Sequence, residues 1–104
     1  MLPIAYGRMA ANGTLVSSTS NVVAERTALG IYSIKIAGFT DISRLLVMVQ
    51  PRFTSSRTAQ FVSTNSVLLS ILVQIDFVGV GAGGTGVIQN PSDTTFDFLV
   101  FDPR

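Results

Sequence analysis

The chain has 104 residues with no Cys, no His and no Trp; 47% are hydrophobic and only 12% charged, and seven Lys+Arg against six Asp+Glu leave a net charge of +1. That length makes one domain, residues 1–104. The near-neutral balance provides no basic field for a nucleic-acid backbone, and the missing Cys and His remove disulfide frameworks, zinc sites, thiol nucleophiles and every Ser-His or Cys-His pair.

Turn signals recur about every ten residues from end to end, the rhythm of an all-β antiparallel sandwich, jelly-roll or Greek key, of about eight strands. A first strand is expected over Ile4 to Ala10 and a second over Thr14 to Ser17. Between them Asn12-Gly13 favours the positive backbone angles of a tight hairpin. Asn12-Gly13-Thr14 also matches a glycosylation sequon, but nothing in Met1 to Gly7 resembles a secretory signal, so the turn reading is preferred. After the polar Ser18 to Asn21, Val22 to Thr27 reads as a strand and Ala28-Leu29-Gly30 as its turn. Ile31 to Ile36 then alternates, with Tyr32, Ile34 and Ile36 on the core face and Ser33 and Lys35 opposite.

Arg44 to Val49 reads as a fully buried strand, with Pro51 demoting its end to an edge or bulge. Phe53 to Arg57 supports no assignment. Thr58 to Thr64 and Val67 to Val78 are expected to pair across a two-residue Asn65-Ser66 turn. In the second of these, Val67, Leu69, Ile71, Val73, Ile75 and Phe77 form an apolar core face. The other face, Leu68, Ser70, Leu72, Gln74, Asp76 and Val78, has the composition of a subunit-facing surface. Gly79 to Gly86 is read as a loop leading through an Asn90-Pro91-Ser92-Asp93 turn into a last strand, Thr95 to Phe101, with Phe96, Phe98 and Val100 inward. The longest apolar runs, such as Leu45 to Val49, are far short of the roughly 20 residues of a membrane-spanning helix.

Candidate chemistry is sparse. Gly79-Val80-Gly81-Ala82-Gly83-Gly84 fits G-x-G-x-x-G, but Thr85 to Pro91 cannot supply the helix whose N-terminus would hold a pyrophosphate. Asp93, Asp97 and Asp102 have neither the facing-carboxylate arrangement of a glycosidase nor the spacing of a calcium loop. Asp93 is expected to cap a turn after Pro91, and Asp97 to be solvated or salt-bridged. No cofactor, metal or catalytic residue is assigned. Arg is chosen six times over one Lys, a bias that suits protein interfaces. Arg44, Arg52 and Arg57 are therefore read as forming intersubunit ion pairs with Glu25, Asp41 or Asp76. The expected interface residues are Leu68, Leu72, Gln74, Phe101, Arg44, Arg52 and Arg57; the expected core is Tyr32, Ile34, Ile71, Val73, Ile75, Phe96 and Phe98.

Four short motifs are spread over almost the whole chain: Ala5-Tyr6-Gly7-Arg8, Asn12-Gly13-Thr14, Gly30-Ile31-Tyr32-Ser33-Ile34 and Phe96 to Asp102. Together they resemble a module of bacteriophage virions found at tail-fibre tips and in small surface proteins. The resemblance implies a homotrimeric β-sandwich, similar in architecture to complement C1q heads, with a structural or attachment role and no enzymatic activity. Its partners would be further copies of itself and the major capsid protein, with neither nucleic acid nor membrane involved; it would be made in the host cytoplasm and sit on the virion surface. The chain shows no stem before Ile4, which favours a capsid decoration protein over a fibre or baseplate tip that binds a host receptor or glycan. The tip reading would use the Ser/Thr-rich stretch between Arg44 and Asn65, or the Gly79 to Asn90 loop.

Overall fold

The computed structural model describes residues 2–39, 41–52, 57–80 and 86–103. Its nine strands are β1 (Ala5–Met9), β2 (Leu15–Ser18), β3 (Val22–Ala28), β4 (Ile31–Ile36), β5 (Leu46–Pro51), β6 (Arg57–Asn65), β7 (Ser70–Val80), β8 (Val87–Pro91) and β9 (Phe96–Phe101), with one 3-10 turn at Ile42–Arg44. They form two antiparallel sheets packed face to face. Sheet A runs β2-β1-β9-β5; sheet B runs β3-β4-β7-β6, with β8 also paired to β7. The last strand thus crosses back to lie between the first and the fifth, closing sheet A with partners far apart in sequence.

Between the sheets lies one core. Tyr32, Ile34, Ile71, Val73, Ile75, Phe96 and Phe98 are all buried in it, as expected, together with Ala5, Met9, Val22, Ile36, Ile42, Leu45 and Val100. Alternation accounts for this: β4, β7 and β9 each send every second side chain inward, and each fully buried large apolar side chain contributes roughly 1.5–3 kcal/mol. The Tyr32 ring meets Phe96 edge-on at 5.0 Å. Its hydroxyl donates to the Ala11 carbonyl at 2.7 Å and accepts from the Thr94 N–H at 3.2 Å. One side chain of sheet B thereby ties down the β1–β2 turn and the lead-in to β9, both of sheet A. Burial holds the Tyr32 phenol above its ordinary range.

The Asn12-Gly13 turn is present. Gly13 has φ +94°, the Asn12 side chain accepts from the Thr14 N–H at 3.0 Å, and a bulge between Arg8 and Met9 shifts the β1–β2 register. The Asn65-Ser66 turn differs from the two-residue expectation. The ladder closes at Asn65 opposite Ser70, and Asn65 Oδ1 accepts from both Val67 and Leu68 N–H at 3.0 Å. This side-chain turn takes residues 66–69 out of the strand. Leu69 stands at φ +52°, and Val67, placed in the core by alternation, is 87% exposed.

Two more readings are corrected. β5 is half buried rather than fully buried, since Leu46 and Met48 point away from the core; it is the edge strand of sheet A, as Pro51 suggested. Residues 87–91, read as the way into a turn, are β8, which pairs residue for residue with Asp76 to Val80 of β7. β8 takes up the same edge of β7 that β4 leaves after Ile31↔Gln74. At that joint Gly30 has φ +70°, and a Cβ there would meet Ser92 N at 2.6 Å and Ile75 O at 2.7 Å. The central Gly81 to Thr85 of the glycine-rich stretch, like Phe53 to Ser56, lies outside the described residues.

Candidate functional site

Pairing in a sheet places directly opposed residues on one face. On the outer face of sheet A this rule assembles three rows. Tyr6, Leu99 and Met48 are opposed across β1, β9 and β5; Phe101 is opposed to Leu46 in the next row; Arg8, Asp97 and Gln50 form the row on the other side. Tyr6 is 51% exposed, Leu46 54%, Met48 60% and Leu99 38%, so the middle of the sheet presents a contiguous apolar stripe to the outside. Two concavities flank Leu99. One of about 420 Å³ lies toward Tyr6, Gly7 and Ser17, and one of about 130 Å³ lies toward Met48 and Gln50.

Ion pairs close both ends of the stripe. At one end Asp97 accepts from Arg8 Nε at 2.7 Å and from Arg52 Nη1 at 2.9 Å. At the other, Arg44 donates to both oxygens of Asp102 at 3.2 Å and lies 3.6 Å from Asp41. The hydrogen bond from Arg8 holds the Asp97 carboxyl below its ordinary range, and Asp97 in turn raises the guanidinium of Arg8. Asp97 is therefore the salt-bridged acid that alternation implied. Arg44 and Arg52, expected to reach across a subunit boundary, find their acids within the chain; Asp41 is among them. Asp93 does not cap a turn of its own: its Oδ1 accepts from Arg26 Nε at 2.9 Å and from Gly30 N–H at 2.8 Å, tying the β3–β4 turn. The Arg26 bond, then the Gly30 bond, holds its carboxyl below the ordinary carboxylate range.

The expected interface residues do not share one surface. Phe101 of β9, Arg44 in the 3-10 turn before β5 and Arg52 just after β5 border the stripe. Leu72 and Gln74 are half buried on the outer face of sheet B, opposite Ser33 and Ile31 of β4 and Ser63 and Phe61 of β6. Leu68 has left the strand and lines, with Leu69, Val23, Lys35 and Phe39, a groove of about 510 Å³ at the end of the sandwich. Arg57 begins β6, and its side chain lies outside the described residues. Asp76 is buried on that face, its two oxygens accepting from the Gln74 and Gln89 amides at 2.9 Å each.

Tyr6, Arg8, Leu46, Met48 and Leu99 were not assigned to a surface from sequence. Twofold alternation in β1, β5 and β9 could have found them, but the unbroken apolar run of β5 hid its outward face. Among the described residues no three acidic side chains gather as a metal site, and no helix is long and apolar enough to cross a membrane. Comparison with family models, curated proteins and solved structures finds no match to this chain.

Proposed function

We propose that this chain is a non-enzymatic structural protein of a bacteriophage virion, a capsid decoration protein that works as a homotrimer over junctions between capsid subunits. The observation that supports it is the outer face of sheet A: a rigid sheet presenting Tyr6, Leu46, Met48 and Leu99 to the outside, where a free-standing domain would carry polar residues. The apolar outer residues of sheet B, Phe61 and Leu72, add to that support. A small domain with apolar surface on both sides of a sandwich can be covered by neighbouring copies and by the shell. Burial at roughly 25 cal/mol per Å² supplies attraction, and repetition over many sites supplies avidity.

The alternative, a fibre or baseplate tip contacting a receptor or glycan, is favoured by the exposed polar Gln60, Ser63 and Thr64 of β6. Purified particles of the phage that encodes the reading frame provide the test. Decoration requires the chain in a fixed ratio to the major capsid protein, on the head by antibody labelling, with heads losing thermal resistance when it is stripped. Labelling of the tail tip selects the alternative, and absence from particles overturns both.

A further inference from the structure

The turn between β6 and β7 breaks two local rules at once. Where φ is positive a turn favours Gly or Asn, and its tip favours polar residues. Here Leu69 stands at φ +52°, Val67 is 87% exposed and Leu68 59%. Asn65 Oδ1, which accepts from the Val67 and Leu68 N–H groups, fixes this shape. A leucine kept in the left-handed region is strained, and such strain collects where a ligand is gripped. What the strained turn achieves is placement: Leu68 and Leu69 line, with Val23, Ile36 and Phe39, the groove of about 510 Å³ at the end of the sandwich. Lys35 is the only charged residue of that lining. It is exposed, and among the described residues it has no acidic partner within 4.0 Å. Glu25 shares a separate concavity of about 160 Å³ with Lys35 and does not line the groove.

We propose that this groove binds a medium-chain alkyl carboxylate, its chain against Leu68, Leu69, Val23 and Phe39 and its carboxylate at Lys35. Apolar walls select an apolar chain, and the unneutralised lysine selects an anionic head over a neutral or cationic one. A lysine suits both tasks, since its methylene stem lies on apolar surface while its ammonium stays in water. Size agrees: an eight-carbon carboxylate occupies roughly 250 Å³, within the groove's about 510 Å³. A ligand of so few atoms, held by one exposed charge and open walls, is expected to bind with a dissociation constant of about 1 mM. The groove lies apart from the outer face of sheet A, and the inference does not depend on the virion reading.

Amide chemical-shift titration of the whole chain at neutral pH provides the test, with octanoate, octanol and octylammonium as probes. Octanoate is expected to give saturable shifts at Val23, Lys35, Phe39, Leu68 and Leu69, with octanol at least about threefold weaker and octylammonium weaker still. Lys35→Glu should weaken octanoate at least about fivefold and turn the preference toward octylammonium. Leu69→Gly separates binding from folding: it relieves the positive φ, so the melting temperature should hold or rise, while octanoate affinity falls several-fold. No saturation up to about 20 mM octanoate, equal affinity for octanol, or a preference for octanoate that survives Lys35→Glu overturns the inference. Groove signals that move with protein concentration and not with octanoate assign the groove to a second copy and overturn it as well.

Discussion

The two halves of β7 differ in what covers them. From Ser70 to Ile75 the strand lies between β4 and β6 and beneath sheet A, and Ile71, Val73 and Ile75 are sealed. From Asp76 to Val78 it lies between β6 and β8, and among the described side chains of this half none joins the core, with Phe77 38% exposed and Ile88 similarly open. The alternation is the same along the whole strand, yet only one half faces a second sheet. Backbone pairing continues beyond the core through β8, while burial of apolar area is confined to the part where two layers meet.

The largest effect that would break this comparison lies in the sealed half. Phe96→Ala, packed edge-on against Tyr32 in the core, should cost about 3–5 kcal/mol, and Ile71→Ala about 2–5 kcal/mol, measured by denaturant unfolding. Gly30→Ala strikes the joint between the halves. Its positive φ and the backbone atoms within 3 Å of a new Cβ predict a loss of about 2–4 kcal/mol and loosened amide-exchange protection in β8. Tyr32→Phe keeps the packing but strands the Ala11 carbonyl and the Thr94 N–H, for about 1–3 kcal/mol. Phe77→Ala, in the uncovered half, should cost about 1 kcal/mol or less. If it costs as much as Ile71→Ala, the distinction between the halves fails.

The smallest effect is electrostatic. Asp93 and Asp97 have their carboxyls held below the ordinary carboxylate range by their arginine partners, so what they contribute is present above the unfolded carboxyl range and is lost as pH falls through the lower folded values. With no His to titrate, the melting temperature should be flat from about pH 5 to about pH 8 and decline below about pH 4. Asp97→Asn should make that decline shallower; an unchanged acid limb would show that the Arg8 and Arg52 pairs contribute nothing.

Much of the fold was legible in advance because strand alternation is local. Ile31 to Ile36 and Phe96 to Phe101 were read with correct strand bounds or nearly so, and every core residue named from them is buried. Misreadings arose where a side chain or a distant strand intervened. Asn65 captured two backbone N–H groups and pulled Val67 to Leu69 off the strand, and Gln89 became part of a strand only because β7 offers it an open edge. The candidate surface was legible only in part. Phe101, Arg44 and Arg52 border it, but Tyr6 and Met48 become neighbours of Leu99 only once β9 is inserted between β1 and β5.

Composition and period-two patterning by themselves determined the all-β class, the inward faces and the exclusion of thiol and imidazole chemistry, because these depend on which side chains are present and on the geometry of one strand. Strand order decided the rest. Which arginine meets which acid, and that Tyr6, Leu99 and Met48 form one stripe closed by ion pairs at both ends, follow from contacts between residues up to 89 positions apart, as in the Arg8–Asp97 pair. Such contacts exist only when two sheets close over a shared core, and it is that closure that turns a low-charge sequence into a defined apolar face.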